Sequence, residues 1–353
     1  MHDPSLHAPH RRAFMAAAAT SLILPVAAQD KPASKLERGS TRVAGFADAE
    51  MDFQLMRQLG TARYGGASVG ECFALARRIQ NGVPASWVAA FSAAAARQEA
   101  DAREREQRGH AISAREQYLV ACNSYRAAEY YSGVQSPEHA RLGLKGRECF
   151  LAALRGHDAG VEEVSLPWGA TPLPAYYVRS GATRGRAGKT LMIISGYDGT
   201  LEETWLSYGR AALERGYHLM LFAGPGQMDT LRFHPRMAFV PEYEQIGRLA
   251  LEHVLKRPET NPRRIALMGI SFGGYFATRI AAHEPRVRAL IANSPIVDLH
   301  AYMISFVGFD PSAMPDDKDV RLADIDQIPD AAIPPQTREM MRSLMVRMGQ
   351  DSF

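Results

Sequence analysis

From Phe46 to Gly156 the apolar positions recur every third or fourth residue, the spacing of one face of a helix. Phe53, Leu55, Met56 and Leu59 make one such stripe, and Cys72, Phe73, Leu75 and Ala76 make another. Trp87, Ala90, Phe91 and Ala94 open a long helix that continues through the charged run Arg97 to Arg108, read as a solvated face, and Gly109 ends it. Ser113-Ala114-Arg115-Glu116 fits a capping box, so a new helix is expected near Ser113, carrying Tyr118, Leu119, Cys122, Tyr125, Ala128 and Tyr131. Ser136-Pro137-Glu138 starts another that runs to about Leu154. No fixed repeat length links these stripes, which predicts a helical bundle and not a solenoid.

At about Val161 the period changes. Val161 to Leu166 and Ala175 to Arg179 read as a strand pair, followed by a strand Thr190 to Ile194, a helix Glu203 to Arg215 and a strand Tyr217 to Phe222. A helix Glu242 to Lys256, an apolar strand running into Gly269, a further helix and a strand Val287 to Ala292 complete the series. Strands alternating with helices after an opening pair predict a mostly parallel sheet with helices on both faces. The chain therefore divides into a helical unit over residues 46–156 and an α/β unit over residues 157–353. Beyond Asp298 it turns polar and Pro-rich and ends in an amphipathic helix from about Pro335 to Met348, with no further strand expected.

The start of the chain bears on where the protein works. His10-Arg11-Arg12-Ala13-Phe14-Met15 is a twin-arginine pattern, followed by the apolar stretch Ala16 to Ala28 with a small-residue site at Val26-Ala27-Ala28. Residues 1–28 read as a cleaved Tat export signal and residues 29–45 as a linker, so a soluble periplasmic or secreted product is expected. Ala13 to Ala28 falls short of the ~20 residues a membrane span needs, which argues against an anchor. The formal charge is +3, of which Arg11 and Arg12 against Asp3 contribute +1, leaving +2 on the mature chain. That charge is too small to argue for nucleic acid or an anionic surface. Cys72, Cys122 and Cys149 show neither CxxC nor metal-type spacing, and leave open one disulfide or three buried thiols.

Gly269-Ile270-Ser271-Phe272-Gly273 is a G-x-S-x-G pentapeptide between the apolar strand and the helix pattern that follows it. A Gly-rich turn would account for the five residues alone. The flanking strand and helix favour a nucleophile elbow, where a strained serine needs small residues two positions to either side. The helical segment ahead of the core, the Gly224-Pro225-Gly226-Gln227 turn and Gly269 to Tyr275 together resemble the α/β-hydrolase superfamily. Within it they resemble the group of FrsA-like esterases, the 2,6-dihydroxypseudooxynicotine hydrolase and the fungal pigment-pathway hydrolases. The resemblance covers roughly residues 46 to 350. It implies an α/β-hydrolase sheet with an N-terminal helical cap over the active site. It also implies hydrolysis of an ester, or of a carbon–carbon bond next to a carbonyl, with no cofactor and no metal.

Ser271 would need a general base, and its oxyanion donors fixed in advance. The backbone N–H of Phe272 and that of Tyr197, in Ser195-Gly196-Tyr197-Asp198-Gly199, are the expected donors. Gly224-Pro225-Gly226-Gln227 lacks the ending of a phosphate loop and reads as a turn. Asp198 is either a substrate contact or a solvated turn residue, His234 reads as a surface residue before a pocket-lining one, and Trp87, Tyr130 and Tyr131 read as packing between helices before facing a substrate. Only His283 and His300 follow Ser271. His283 closes the helix after the elbow and reads as structural. Asp298 and His300 have the right chain order, but two residues of spacing on one loop oppose a working triad. Resembling enzymes continue past a helix like Thr337 to Met348 into two strands carrying the acid and the histidine, so a C-terminally incomplete core is expected. The leading function is an exported serine hydrolase acting on a small-molecule carbonyl substrate, with a homodimer left open. A catalytically silent binding protein is the alternative from another class. A prolyl-oligopeptidase-type peptidase is the runner-up among enzymes, weakened by helices where those enzymes carry a β-propeller.

Overall fold

The computed structural model describes residues 45–155, 160–184, 186–307, 321–329 and 335–351; the twin-arginine stretch lies outside them. Five helices come first: α1 (Ala49–Gly60), α2 (Val69–Ala76), α3 (Pro84–Gln107), α4 (Ala111–Tyr130) and α5 (Pro137–Leu154). Local chemistry sets their starts. Asp48 Oδ1 accepts from the Met51 N–H at 2.8 Å, Pro84 stands in the first turn of α3, and Ser136 Oγ accepts from the His139 N–H at 3.1 Å. The apolar stripes then turn Met51, Leu55, Trp87, Phe91, Leu119 and Phe150 into a shared interior. The expected start at Ser113 is corrected: α4 begins at Ala111. Gly109 takes a left-handed φ of 78° that reverses the chain, and the Ala114 N–H already donates to the His110 carbonyl. Ser113 is thereby inside the first turn, and its capping box is not used.

The sheet has the order β1-β2-β4-β3-β5-β6, from β1 (Val161–Leu166), β2 (Leu173–Val178), β3 (Gly188–Ile194), β4 (Tyr217–Phe222), β5 (Thr260–Ile270) and β6 (Ala289–Asn293). β1 and β2 pair antiparallel and β2 joins β4 antiparallel, while β4, β3, β5 and β6 run parallel. The stretch expected as one helix from Glu203 is three pieces, Leu201–Thr204, a wider π turn Trp205–Gly209 and Arg210–Glu214. It starts earlier than its apolar pattern suggests because Thr200 Oγ1 accepts from the Glu203 N–H at 3.2 Å.

Two apolar layers sandwich the sheet. The five helices and Trp205 cover one face through Phe150, Tyr176 and Leu221. The helices Tyr243–Leu255 and Phe272–His283 cover the other, where the rings of Tyr243 and Phe276 stack with centroids 3.6 Å apart. Each large apolar side chain so buried contributes about 1.5–3 kcal/mol, so both layers are needed to hold the strand ends in place. β6 is different: Leu290 and Ile291 remain 41% and 47% exposed on this edge. Among the described residues no helix is long and apolar enough to cross a membrane. Cys72, Cys122 and Cys149 are buried and unpaired.

Candidate active site

β5 ends at Ile270, Ser271 takes φ 54° and ψ −126°, and a helix begins at Phe272. A non-glycine residue in that region is strained and persists only where its surroundings hold it. The Ser271 N–H donates to the Asn293 carbonyl at 2.9 Å, and the Ser271 carbonyl accepts from the Gly274 N–H at 2.7 Å. The flanking glycines are required by space: a Cβ on Gly269 would collide with the Gly273 carbonyl, and one on Gly273 with the Ser195 carbonyl. Ser271 itself is exposed at the floor of a cavity of about 840 Å³.

The loop Ser195–Gly199 forms the wall beside Ser271. A Cβ on Gly196 would stand 3.0 Å from Ser271 Cβ and 3.3 Å from the Phe272 nitrogen, which measures how closely the two segments approach. Every carbonyl of this loop accepts from a side chain. Gln227 Nε2 donates to Ser195 O at 2.7 Å and to Gly196 O at 3.2 Å, and Arg347 donates to Tyr197 O. Arg57 Nη2 donates to Asp198 O at 3.3 Å, and Ser195 Oγ to Gly199 O at 3.0 Å. Gln227 is fully buried, and its Oε1 accepts from the Gly224 N–H at 2.7 Å, so the supposed plain turn is a bracket for this loop. Arg347, on the helix Pro335–Met348, lies 3.5 Å over the Tyr197 ring and also donates to Gly226 O at 2.8 Å.

The helical segment supplies the opposite wall through α1 and the end of α4: Glu50, Phe53, Arg57, Tyr130 and Tyr131 line the cavity. Of the two readings of Tyr130 and Tyr131, the cavity-facing one holds as well as the packing one: both residues, at the end of α4, line the cavity. Trp87 does pack inside, against Phe91 and Tyr131.

Two charge clusters bridge helices and sheet. In the first, Arg57 pairs with Asp198 at 2.6 Å and Glu203 at 2.5 Å, and Arg126 approaches Glu203 at 3.7 Å. Burial pushes the Asp198 carboxyl up, but the neighbouring guanidinium of Arg57 outweighs it and holds the group below its ordinary value. Asp198 is therefore a paired anion in the cavity wall and not a solvated turn residue. The second cluster lies deeper. Arg232 faces Glu129 at 2.7 Å, Asp229 at 3.0 Å and Glu202 at 3.1 Å, and His139 Nε2 stands 3.6 Å from Glu129. Burial, then the repulsion of Glu202 and Glu129, push Asp229 up to about 8 against the pull of Arg232. Both Asp229 carboxyl oxygens accept from the Leu201 N–H, at 3.2 and 3.1 Å.

The proposed acid and base do not come to Ser271. Asp298 is exposed and its Oδ1 accepts from the Ala301 N–H at 2.9 Å, capping the helix Leu299–Val307. His300 is exposed on that helix, and neither residue lines the cavity. A cap residue aims back along its own helix start, so the pair is corrected to a structural cap and a surface histidine. His283 Nδ1 meets the Arg279 carbonyl at 2.9 Å, and His234 is half-buried. Among the described residues no histidine lines the cavity, and no group of three or more His, Cys, Asp or Glu side chains is arranged to hold a metal ion.

The prolyl oligopeptidase family matches residues 248–322, the segment around the elbow and β6. Hydrolase LUC6 of a Fusarium species is 33% identical over 264 residues, covering 72% of this chain and 62% of the relative. Hydrolase acrC of Aspergillus aculeatus is 33% identical over 271 residues, covering 70% and 62%. The chain thus spans 62% of the length of each of these two relatives. Among solved structures, the 2,6-dihydroxy-pseudo-oxynicotine hydrolase matches with a TM-score of 0.60 at 20% identity, over 82% of this chain and 75% of that one, a likeness of fold. With a strained serine between β5 and its helix, a parallel sheet entered by an antiparallel pair and a helical segment over the strand ends, the chain belongs to the α/β-hydrolase superfamily.

Proposed function

We propose that the chain is an exported serine hydrolase acting on an ester, or on a carbon–carbon bond next to a carbonyl, of a small molecule. The observation that carries this reading is Ser271, held at a positive φ on a cavity floor beside the Gly196-Tyr197 backbone. Ser271 Oγ would attack the substrate carbonyl, the backbone N–H groups of Phe272 and Tyr197 would receive the oxyanion, and water would release the acyl group. The cavity admits a substrate of modest size, and the relatives' names, which say hydrolase, support the reaction class.

A base must take the Ser271 proton, and no histidine stands beside it among the described residues. The reading therefore expects slow phosphonylation of Ser271 by a fluorophosphonate probe, raised about tenfold or more by imidazole added as an external base. Labelling that persists in Ser271→Ala, or that fails to appear at Ser271 with imidazole present, would favour a silent binding module instead. Export is supported by Arg11-Arg12 and the apolar stretch after it. Replacing both arginines by lysine should leave the protein in the cytoplasm, and unchanged periplasmic recovery would count against it.

A further inference from the structure

We propose that Gln227, assisted by Arg347, is a positioning residue that sets the direction of the Tyr197 N–H toward Ser271. The inference rests on the serine reading above and concerns two side chains that would not touch the substrate's reacting atoms. In a trans peptide the C=O and the following N–H point in opposite directions across one rigid plane. Gln227 sits behind the loop, fully buried and away from the cavity lining, and draws the Ser195 and Gly196 carbonyls toward itself. The N–H of Tyr197, trans to the Gly196 carbonyl, then faces the other way, on the side where Gly196 and Tyr197 line the cavity. Arg347 treats the next plane alike by holding the Tyr197 carbonyl. Consistent with this, the N–H groups of Gly196, Tyr197, Asp198 and Gly199 have no acceptor among the described residues, while all five carbonyls of the loop are engaged.

The bracket is itself over-determined. The Gly224 N–H holds Gln227 Oε1, which fixes the amide so that its NH₂ faces the loop. Thr230 Oγ1 donates to the Gly224 carbonyl at 2.8 Å, and Tyr243 donates to the Pro225 carbonyl, so the turn carrying Gln227 is tied to two helices. A side chain that merely satisfied buried carbonyls would serve stability alone. One that aims a donor serves the rate of a step that develops negative charge on oxygen.

The test is the rate of Ser271 phosphonylation by the fluorophosphonate in fixed imidazole, resolved into the maximal rate constant and the half-saturating probe concentration. Gln227→Glu keeps the volume and the acceptor but replaces the donor with a carboxylate. Its maximal rate constant should fall about 10–100-fold, with half-saturation changed less than about twofold, since one lost oxyanion donor costs 10²–10³. Protonating the new carboxyl restores one donor, so the variant-to-wild-type ratio should rise as pH is lowered. Arg347→Lys, which cannot reach the Gly226 and Tyr197 carbonyls together, should show a smaller loss of the same kind. A residue that only stabilised the fold would lower the fraction of chains labelled and leave the rate constant of the rest unchanged. That result, in Gln227→Glu or, should it not fold, in Arg347→Lys, would overturn this inference alone. A wild-type chain not labelled at Ser271 would overturn the serine reading and this inference with it.

Discussion

The two charge clusters between helices and sheet look alike in composition and differ in balance. Arg57, Arg126, Asp198 and Glu203 set two cations against two anions, with Arg57 and Asp198 open to the cavity. Around Arg232, one cation meets the three carboxylates of Glu129, Glu202 and Asp229, all sealed from solvent. A balanced cluster at a cavity wall can exchange partners with water or a ligand. An unbalanced one in the interior must keep a proton, and Asp229 is where burial and its neighbours place it. The first cluster is thus suited to shaping the wall of a site, the second to fastening α4 to the core.

Removing the arginine of the interior cluster should break that contrast most sharply. Arg232→Met leaves the buried carboxylates of Glu129 and Glu202, beside the protonated Asp229, without their counter-ion and should destabilise the chain by about 3–5 kcal/mol, read by urea unfolding. Arg57→Met should cost about 1–3 kcal/mol, because Asp198 can turn to water in the cavity and Arg126 still faces Glu203. Equal losses in the two variants would erase the distinction between the clusters.

The third effect is one of pH. The folded chain keeps the Asp229 proton up to about 8, whereas an unfolded carboxyl releases it near its ordinary value of 3.8. Stability from this group is therefore complete at acid pH, declines as pH rises through that window and levels off above 8. Asp229→Asn stays neutral throughout, so its melting temperature relative to wild type should climb by a few degrees between pH 5 and about 9. A difference that stays flat over this range would place the retained proton elsewhere.

What the sequence made legible was whatever rests on neighbours along the chain. The Ser136 cap, the strand Tyr217–Phe222, the terminal helix Pro335–Met348 and the Gly-flanked serine all follow from a few adjacent residues. The bracket at Gln227 was not legible, since its partners lie 31 and 32 residues away and a Gly-Pro-Gly turn explains the same letters. Arg57 and Asp198 meet across 141 residues, and no local period announces such a pair. Asp298 and His300, whose spacing already opposed a triad, show the converse: correct chain order says nothing of direction, and a helix start claimed the carboxylate. An unusually polar helix interior was the available signal for both clusters, with Arg126 of the first and Glu129 of the second on the buried side of α4.

The three thiols acquire a use from where they sit. Cys72, Cys122 and Cys149 lie on α2, α4 and α5, all within the helical segment, and burial pushes their acidity down, to a pKa of about 11 for Cys72 and about 12 for Cys149. A thiol reagent needs both access and thiolate, so each cysteine is silent until its helix parts from its neighbours. The rate of thiol modification is then a clock for the opening of the helices over the sheet, readable on the native cysteines without introducing or removing any residue.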